Sequence, residues 1–261
     1  WNSLKPYILK TDRDVLCLQE HKLTFQDKLN EAEEWCRARG WKSRWSLARK
    51  SECGGQGAGG TAILVKDHLG LADANYLLSP TARRCAGIID LPGGRRVMAI
   101  SAYFRCSIGM KNDNACLMAS IGEATDAWNL PFILGADFNT TVEAVQSANV
   151  AKALNADIFA PTSTRGTCVV SKRTIDFFMI SRGLSDAVKT IGIDFNSGLA
   201  DHRPVNIDFH PRISSLMTKH LRKPPASPAN KVYGPINQTA GWNQLQAVIR
   251  RVHNSWKANK I

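Results

Sequence analysis

An α/β fold built from stacked sheets is the architecture that this sequence predicts, on three observations. The chain has 261 residues, of which 44% are hydrophobic, so it can bury a large core. Short strand-like runs alternate with stretches of helical period over the first 210 residues. Several of these runs are apolar on both faces, which indicates sheets covered by helices on one side and by a second sheet on the other.

Eight segments have the composition of β-strands and two have that of helices. The predicted strands cover residues 15–20, 61–66, 85–91, 96–104, 132–138, 174–180, 188–195 and 205–209. One helix is predicted over 24–39, opened by Thr24 and closed by Gly40, and another over 113–128 with apolar residues on one face. Together these elements predict one domain over residues 1–210.

The last fifth of the chain has a different composition. It contains nine Lys and Arg and no Asp or Glu, so it carries most of the net charge of +12. We predict a basic, proline-rich linker over 211–238 and a basic amphipathic helix over 239–258 that docks on its own domain or leads to a following one. Such a segment attracts nucleic acid by releasing condensed counterions, although basic segments also occur as solvated linkers and are attracted to membrane surfaces.

Two other classes of protein are disfavoured by the sequence. No apolar run reaches the roughly 18 residues of a membrane span, so no membrane partner is expected. The seven cysteines form no C-x-x-C pair and their number is odd, which argues against a zinc module or a disulfide framework. A reducing, intracellular compartment is therefore expected.

Polar residues recur where the predicted strands begin or end. They are Glu20 in "VLCLQE", Tyr103 in "MAISAYF", Asp137 and Asn139 in "GADFN", Asp176 in "TIDFF", and Asp201 and His202 in "LADHRPV". Each alone has an ordinary explanation, such as a helix cap, an Asx turn or a strand-edge charge. Their joint recurrence is explained less well in this way. Oxygen ligands without cysteine or paired-histidine motifs suit a hard cation such as Mg²⁺ or Mn²⁺.

Six motifs occur in a fixed order, namely "VLCLQE", "GGTAILVK", "ISAYF", "GADFN", "TIDFFMIS" and "ADHRPV". In this order they resemble the endonuclease/exonuclease/phosphatase superfamily. The pair "GADFN" and "ADHRPV" is most similar to the apurinic-type endonuclease domain of non-LTR retrotransposons. The resemblance implies a DNase I-like, four-layer α/β/β/α sandwich, in which two mixed sheets pack face to face with helices outside and the site lies at one rim.

The resemblance also implies which residues serve the metal and the attacking water. Glu20 would hold a divalent metal, Mg²⁺ or Mn²⁺, and Asp201 would assist on the same side. Asp137 would orient or deprotonate the water. Asn139 would help to hold that water or the phosphate.

A second group of residues would contact the phosphate by the same resemblance. Tyr103 would donate to a phosphate oxygen, and His202 would bind the non-bridging oxygens while Asp176 orients His202 and keeps it protonated. Arg203 is a further substrate-binding candidate. A threonine of the loop before Asp176 would also contact the phosphate. Which of Thr162, Thr164 and Thr167 does so stays open, and Thr167 is the candidate carried forward.

Two positions depart from the family pattern. The family's first motif is a metal-site Asn on an N-terminal strand, nearly thirty residues before the Glu. Counted back from Glu20, the position of that Asn falls upstream of Trp1. We therefore expect that strand to be missing from these residues, so that this fragment can be inactive even if the full protein is not. In addition, Arg173 stands where members often carry Ser, three residues before the Asp.

Three functions stay open from the sequence. The first is a metal-dependent DNA endonuclease of retrotransposon type, which nicks DNA to leave a 3′-hydroxyl and has a reverse transcriptase domain on the same chain and a nuclear location. The second is a phosphomonoesterase or RNA-degrading member of the same superfamily. The third is a decayed nucleic-acid-binding remnant without activity.

Overall fold

The computed structural model describes residues 1–50, 57–74 and 78–210. The helices are α1 (Leu4–Lys10), α2 (Gln26–Arg37), α3 (Asp113–Trp128), α4 (Val142–Ser147), α5 (Val150–Ala153) and α6 (Arg182–Ser185). The strands are β1 (Val15–Gln19), β2 (Trp41–Ser46), β3 (Thr61–Lys66), β4 (Gly70–Asp73), β5 (Arg84–Leu91), β6 (Arg95–Tyr103), β7 (Phe132–Asp137), β8 (Ala156–Phe159), β9 (Asp176–Ser181), β10 (Val188–Ile193) and β11 (Val205–Phe209). The predicted linker over 211–238 and the predicted helix over 239–258 lie outside the described residues.

The strands form a large mixed sheet and two small antiparallel sheets. The large sheet has six strands in the order β4-β5-β6-β7-β9-β8, with β6 and β7 parallel and the other neighbours antiparallel. The first small sheet has the order β1-β3-β2, and the second consists of β10 and β11. The parallel pair is possible because α3 provides the crossover between β6 and β7.

The predicted four-layer arrangement is confirmed by the packing of these elements. One core cluster joins the outer face of the three-stranded sheet to α1 and α2, and includes Ile8, Leu18 and Cys36. A second lies between that sheet and the six-stranded sheet, around Ile63 and Ala99. The largest cluster covers the far face of the six-stranded sheet and contains the apolar face of α3. The layers are therefore helix, sheet, sheet and helix.

Several predicted boundaries differ from the structure for identifiable reasons. The first long helix begins at Gln26, not Thr24, and its N-cap residue Phe25 makes no side-chain capping bond. The strands predicted to include Glu20 and to run through 138 end at Gln19 and Asp137. The backbone turns into the left-handed region at Glu20 (φ 55°) and Asn139 (φ 50°), which a strand cannot continue through.

Other elements were not predicted. In β2, "WKSRWS", Lys and Arg interrupt the apolar pattern. The strands β4 and β8 have only four residues each, and such a short run does not reveal the alternation of apolar and polar residues. Within the described part of the chain, no helix has the length and apolar character needed to cross a membrane.

Candidate active site at the rim of the sheets

Three predicted site residues lie in one row across the six-stranded sheet. Tyr103 at the end of β6 is the register partner of Asp137 at the end of β7, and Asp137 is the register partner of Asp176 at the start of β9. Residues directly opposite each other on paired strands project from the same face of a sheet. The strand register therefore brings together side chains that are 34 and 39 residues apart in the sequence.

The residue after each member of this row is a phenylalanine on the opposite face of the sheet. Phe104, Phe138 and Phe177 are almost completely buried, at 0%, 0% and 1% exposure. Their rings stack in sequence, with centroids 5.0 Å and 4.0 Å apart and planes within 6°. This stack was not predicted, although the doublets "YF", "DF" and "DF" at three strand ends are a detectable signal. It fixes the strand ends that carry the polar row.

Asp137 is held by a tight turn that also uses Asn139. The backbone N–H of Asn139 donates to Asp137 Oδ1 at 2.9 Å, and Asn139 Nδ2 donates to Asp137 Oδ2 at 3.1 Å. Asn139 Nδ2 also donates to the carbonyl of Phe104 at 2.8 Å. The Asx turn considered from the sequence is present, and it orients both carboxylate oxygens of Asp137. Asn139 thus acts on Asp137, with its amide donors already engaged.

His202 reaches the row from the loop before β11. Its Nδ1 donates to Asp176 Oδ2 at 2.8 Å and lies 3.0 Å from Oδ1. The loop is fixed by backbone bonds, because the N–H of Arg203 donates to the carbonyl of Thr167 at 2.8 Å and the N–H of Val169 donates to that of Asp201 at 2.9 Å. His202 is thereby placed opposite Asp137, and its Nε2 is left available as a second donor.

Glu20 directly follows β1 of the three-stranded sheet and faces the row across the sandwich. Its carboxylate is close enough to Tyr103 that burial and the Glu20 charge together raise the pKa of the Tyr103 hydroxyl. The phenol therefore stays protonated and can act as a donor at any physiological pH. Glu20 also has a left-handed backbone, a conformation that costs of order 1 kcal/mol or more and occurs preferentially at functional sites.

The pKa values of the Asp137 carboxyl and the His202 imidazole are both raised, with different consequences for their charge near neutral pH. Burial, followed by the adjacent Asp176 charge, raises the pKa of Asp137 to about 7, while His202 opposes that rise. The hydrogen bond to Asp176 raises the pKa of His202 to about 9, against the effect of burial. A base that ionises near neutral pH and a stably charged imidazole therefore stand side by side.

These pKa values predict a bell-shaped pH dependence of kcat/KM for any reaction in which Asp137 accepts a proton and a charged His202 donates a hydrogen bond. Asp137 must be ionised to accept a proton, so activity should rise as the pH passes about 7. His202 must be charged, so activity should fall as the pH passes about 9. In Asp176→Asn both limbs should move to lower pH, because the Asp176 charge raises both pKa values. An alkaline limb that does not move in this variant would contradict the assigned pair.

Two further candidates are placed differently from the expectation. Thr167 is fully buried, and its hydroxyl accepts the backbone N–H groups of Ile175 and Asp176, each at 3.0 Å. Arg203 Nη1 donates to the carbonyls of Arg165 and Gly166 at 2.7 and 3.0 Å. Both side chains hold the loops that carry Asp176 and His202. In this structure both side chains support the site, and Arg203 also lines the groove that contains Asp137 and His202.

The position of Thr167 predicts a measurable loss of stability. Thr167→Val keeps the side-chain volume but leaves two amides at the start of β9 without their acceptor, which should lower the free energy of unfolding by about 1–3 kcal/mol. Thr167→Ser, which retains the hydroxyl, is the matched control for urea unfolding. If both variants were equally stable, the hydroxyl would not support the strand.

Gln19 and Ser101 are site-supporting residues that sequence reasoning missed. Gln19 Nε2 donates to Ser101 Oγ at 2.9 Å and to the carbonyl of Gly135 at 3.1 Å, and Ser101 Oγ donates to the carbonyl of Leu18 at 2.8 Å. These bonds link β1 to β6 and β7 across the sandwich. A glutamine at the end of an otherwise apolar strand is the signal that was available.

One group of donors at this rim lies close enough together to hold a divalent cation. Ligand atoms of Asp137, Asp176 and His202 lie within 4.8 Å of one another, a spacing compatible with a metal ion. However, the hydrogen bond to Asp176 raises the pKa of His202 to about 9, and an imidazolium has no lone pair for a metal. Carboxylate oxygens such as those of Glu20 are the ligands that Mg²⁺ and Mn²⁺ prefer. The exposed Asp201 lines the same groove as Glu20.

Comparison with known proteins agrees with this fold. Over residues 2–202 the chain matches the model of the Endonuclease/Exonuclease/phosphatase family, and it belongs to that family. Members of the family are hydrolases that act on phosphodiester bonds and generally use divalent metals. No curated protein sequence gives a significant match.

Solved structures resemble the chain at low sequence identity and establish its fold. The endonuclease domain of TRAS1, a telomere-specific non-LTR retrotransposon, is 17% identical with a TM-score of 0.53, covering 66% of this chain and 80% of that one. The AP endonuclease LMAP from Leishmania major is 17% identical with a TM-score of 0.56, covering 80% and 82%. The 3′-5′ exonuclease NExo from Neisseria meningitidis is 19% identical with a TM-score of 0.55, covering 80% and 95%.

Proposed function

We propose that this protein is a divalent-metal-dependent DNA endonuclease that nicks its target to leave a 3′-hydroxyl. The observation that carries the proposal is the row of Tyr103, Asp137 and Asp176, completed by His202 and facing Glu20. It combines a carboxylate that ionises near neutral pH with two hydrogen-bond donors, which are the groups that phosphodiester hydrolysis requires.

Each residue has one task in the proposed reaction. Asp137, oriented by Asn139, accepts a proton from the attacking water. The charged His202 donates from Nε2 to a non-bridging phosphate oxygen, where negative charge accumulates, and Asp176 keeps it charged and oriented. Tyr103 donates its hydroxyl to another phosphate oxygen. When bound at Glu20, with Asp201 assisting, Mg²⁺ or Mn²⁺ would supply neutralisation of charge on the phosphate.

Nucleic acid is favoured as the substrate over a small phosphate ester by the charge of the chain. The net charge is +12, and its concentration in residues 211–261 suits a long polyanion. The pair of motifs "GADFN" and "ADHRPV" and the likeness to the TRAS1 domain support a retrotransposon origin. We accordingly propose DNA as the partner, a reverse transcriptase domain on the same polypeptide, and a nuclear location.

The basic tail predicts how DNA affinity depends on salt. Removing residues 211–261 should reduce the slope of log affinity against log salt by about 0.9 for each phosphate that the tail neutralises. Binding of a fluorescent duplex between roughly 50 and 200 mM salt measures the slope. A control of the same 261 residues, in which the nine Lys and Arg of residues 211–261 become Gln, separates charge from length. An unchanged slope in both variants would assign the phosphate contacts to residues 1–210.

The proposed activity is tested by nicking of supercoiled plasmid in the presence of Mg²⁺. The assay compares the 261-residue chain, the chain extended before Trp1 by a strand carrying the family's asparagine, and the extended chain with His202→Ala. Open circles from a protein with intact His202 support the proposal. Intact plasmid in every lane, with folded protein that binds DNA, would instead favour a decayed domain or a phosphomonoesterase.

A further inference from the structure

His21 is a buried polar side chain that has no task in the proposed reaction. It follows Glu20 directly in "LQEHK" and is only 1% exposed. The backbone N–H of Leu23 donates to its Nδ1 at 3.1 Å, so the ring proton must be on Nε2. Nε2 then donates to the carbonyl of Ser46, the last residue of β2, at 3.0 Å. The ring therefore uses both nitrogens to join the end of β1 to the end of β2.

The glycines of "GGTAILVK" leave the space that this ring occupies. A Cβ atom added to Gly60 would lie 2.5 Å from Cε1 of His21, closer than two carbon atoms can pack. Gly60 also has a left-handed backbone, with a φ of 84°, and its carbonyl accepts the N–H of His21 at 3.3 Å. The ring of Trp45 packs edge-on against His21 at a centroid distance of 5.2 Å. This motif therefore contributes a seat for the His21 ring.

The residues on either side of His21 both have a left-handed backbone. The φ angle is 55° at Glu20 and 60° at Lys22, in the region that side chains other than glycine rarely adopt. Such a conformation persists only where the surrounding structure enforces it. Here the buried ring of His21 and its N–H enforce it, together with the N–H of Lys22, which donates to the carbonyl of Gly59 at 3.2 Å. The direction in which Glu20 leaves β1 is therefore set by the residue that follows it.

We propose that His21 is a positioning residue that holds the Glu20 carboxylate at the rim, opposite Tyr103, in place to bind a divalent cation. Residues that orient a metal ligand without touching the metal contribute strongly to affinity, and their loss typically weakens metal binding by about 10–100-fold. The effect on the cation rests on the proposed function, whereas the effect on the position of Glu20 does not.

Simple core packing would explain a buried ring but not the pattern of its bonds. The bond with Leu23 closes the turn directly after Glu20, and the bond with Ser46 ties that turn to β2. Ser46 is itself fixed, because its hydroxyl oxygen lies 2.9 Å from the hydroxyl of Thr61 and accepts the N–H of Thr61 at 3.1 Å. Glu20 is thus anchored to the three-stranded sheet through β2 as well as through β1.

The test compares His21→Asn with the unaltered 261-residue chain by crystallography and by Mn²⁺ titration. Asn can still accept the N–H of Leu23, as in an Asx turn, but it is too short to reach Ser46. We expect the Glu20 carboxylate to move away from Tyr103 in the metal-free crystal structure of the variant. The dissociation constant for Mn²⁺, measured from the paramagnetic resonance signal of the free ion, should rise about tenfold or more.

Three further variants separate positioning from a general loss of stability. Ile121→Ala removes buried volume on the far face of the six-stranded sheet, so it should lower stability without changing the Mn²⁺ affinity. In a Glu20→Gln background, His21→Asn should have no further effect on Mn²⁺ affinity, because it acts through Glu20. His21→Gln keeps a donor for Ser46 and loses the acceptor for Leu23. Glu20 should move in that variant too, and it replaces His21→Asn if the latter does not fold.

The possible outcomes distinguish this inference from the proposed function. A displaced Glu20, with a Mn²⁺ affinity that falls only while the Glu20 carboxylate is present, supports both. A displaced Glu20 in a chain that binds no Mn²⁺, or that binds it equally well as Glu20→Gln, supports the positioning role and contradicts the proposed metal site. An unchanged position of Glu20 in the variant structures would overturn the inference, and so would an equal fall of Mn²⁺ affinity in Ile121→Ala.

Discussion

Asp137→Asn should lower the rate of plasmid nicking by about a thousandfold relative to its parent protein, since positioned general bases contribute roughly 10²–10⁴-fold. The amide keeps the shape of the side chain and can still accept the N–H of Asn139, but it cannot take a proton from water. The variant should bind DNA normally, and nicking is measured as the fraction of open circles with time.

The stability of the same variant distinguishes a catalytic role from a structural one. Asp137 is only 4% exposed and lies opposite Asp176, and its raised pKa shows that ionisation is opposed by this environment. Removing the charge should leave the melting temperature unchanged or raise it. A lower melting temperature together with lost DNA binding would mean that Asp137 maintains the fold and that its catalytic assignment is wrong.

His202→Gln should reduce nicking by about a hundredfold or more, since removing one donor to a developing negative charge typically costs 10²–10³ in rate. The variant should also be less stable, because Asp176 then remains 16% exposed without its cation. Since the pKa of His202 is raised in the folded state, the stabilisation is fully present below its ordinary value of 6.5 and is lost as the pH rises through about 9.

The double variant His202→Gln with Asp176→Asn is the matched control for this effect. It removes the uncompensated carboxylate, so thermal stability should recover relative to His202→Gln while activity stays low. Recovery of activity together with stability would show that His202 contributes only through packing. Normal activity in His202→Gln alone would remove the proposed phosphate contact.

The composition of the strand ends made much of the fold and site predictable. The strands over 61–66 and 205–209 were predicted with the bounds that the structure has. Each is an apolar run flanked by loop residues, and these flanks define where the strand begins and ends. The motif resemblance implied that Asp137 and Asp176 would lie in one site at a rim of the sheets. The motif resemblance supplied the four-layer order of the sheets and helices.

Other features depend on contacts that a single sequence does not specify. Whether Tyr103 and Asp137 share a row is set by strand register, and register is decided by packing such as the stack that includes Phe138. The inward use of Thr167 follows from the path of its loop, since the same hydroxyl on an outward turn could meet a phosphate. The left-handed turn at Glu20 is likewise a tertiary effect, because nothing in "LQEHK" favours it locally.

The most direct test of the account is the Mg²⁺ dependence of plasmid nicking by the 261-residue chain and by the chain extended before Trp1 by a strand carrying the family's asparagine, each compared with its own Asp137→Asn variant. The account predicts open circles carrying 3′-hydroxyl ends, which a DNA polymerase can extend, and their loss both in EDTA and in the variant. Folded, DNA-binding proteins that leave the plasmid intact, or nicking that survives Asp137→Asn, would contradict the assignment of this rim as a metal-dependent endonuclease site.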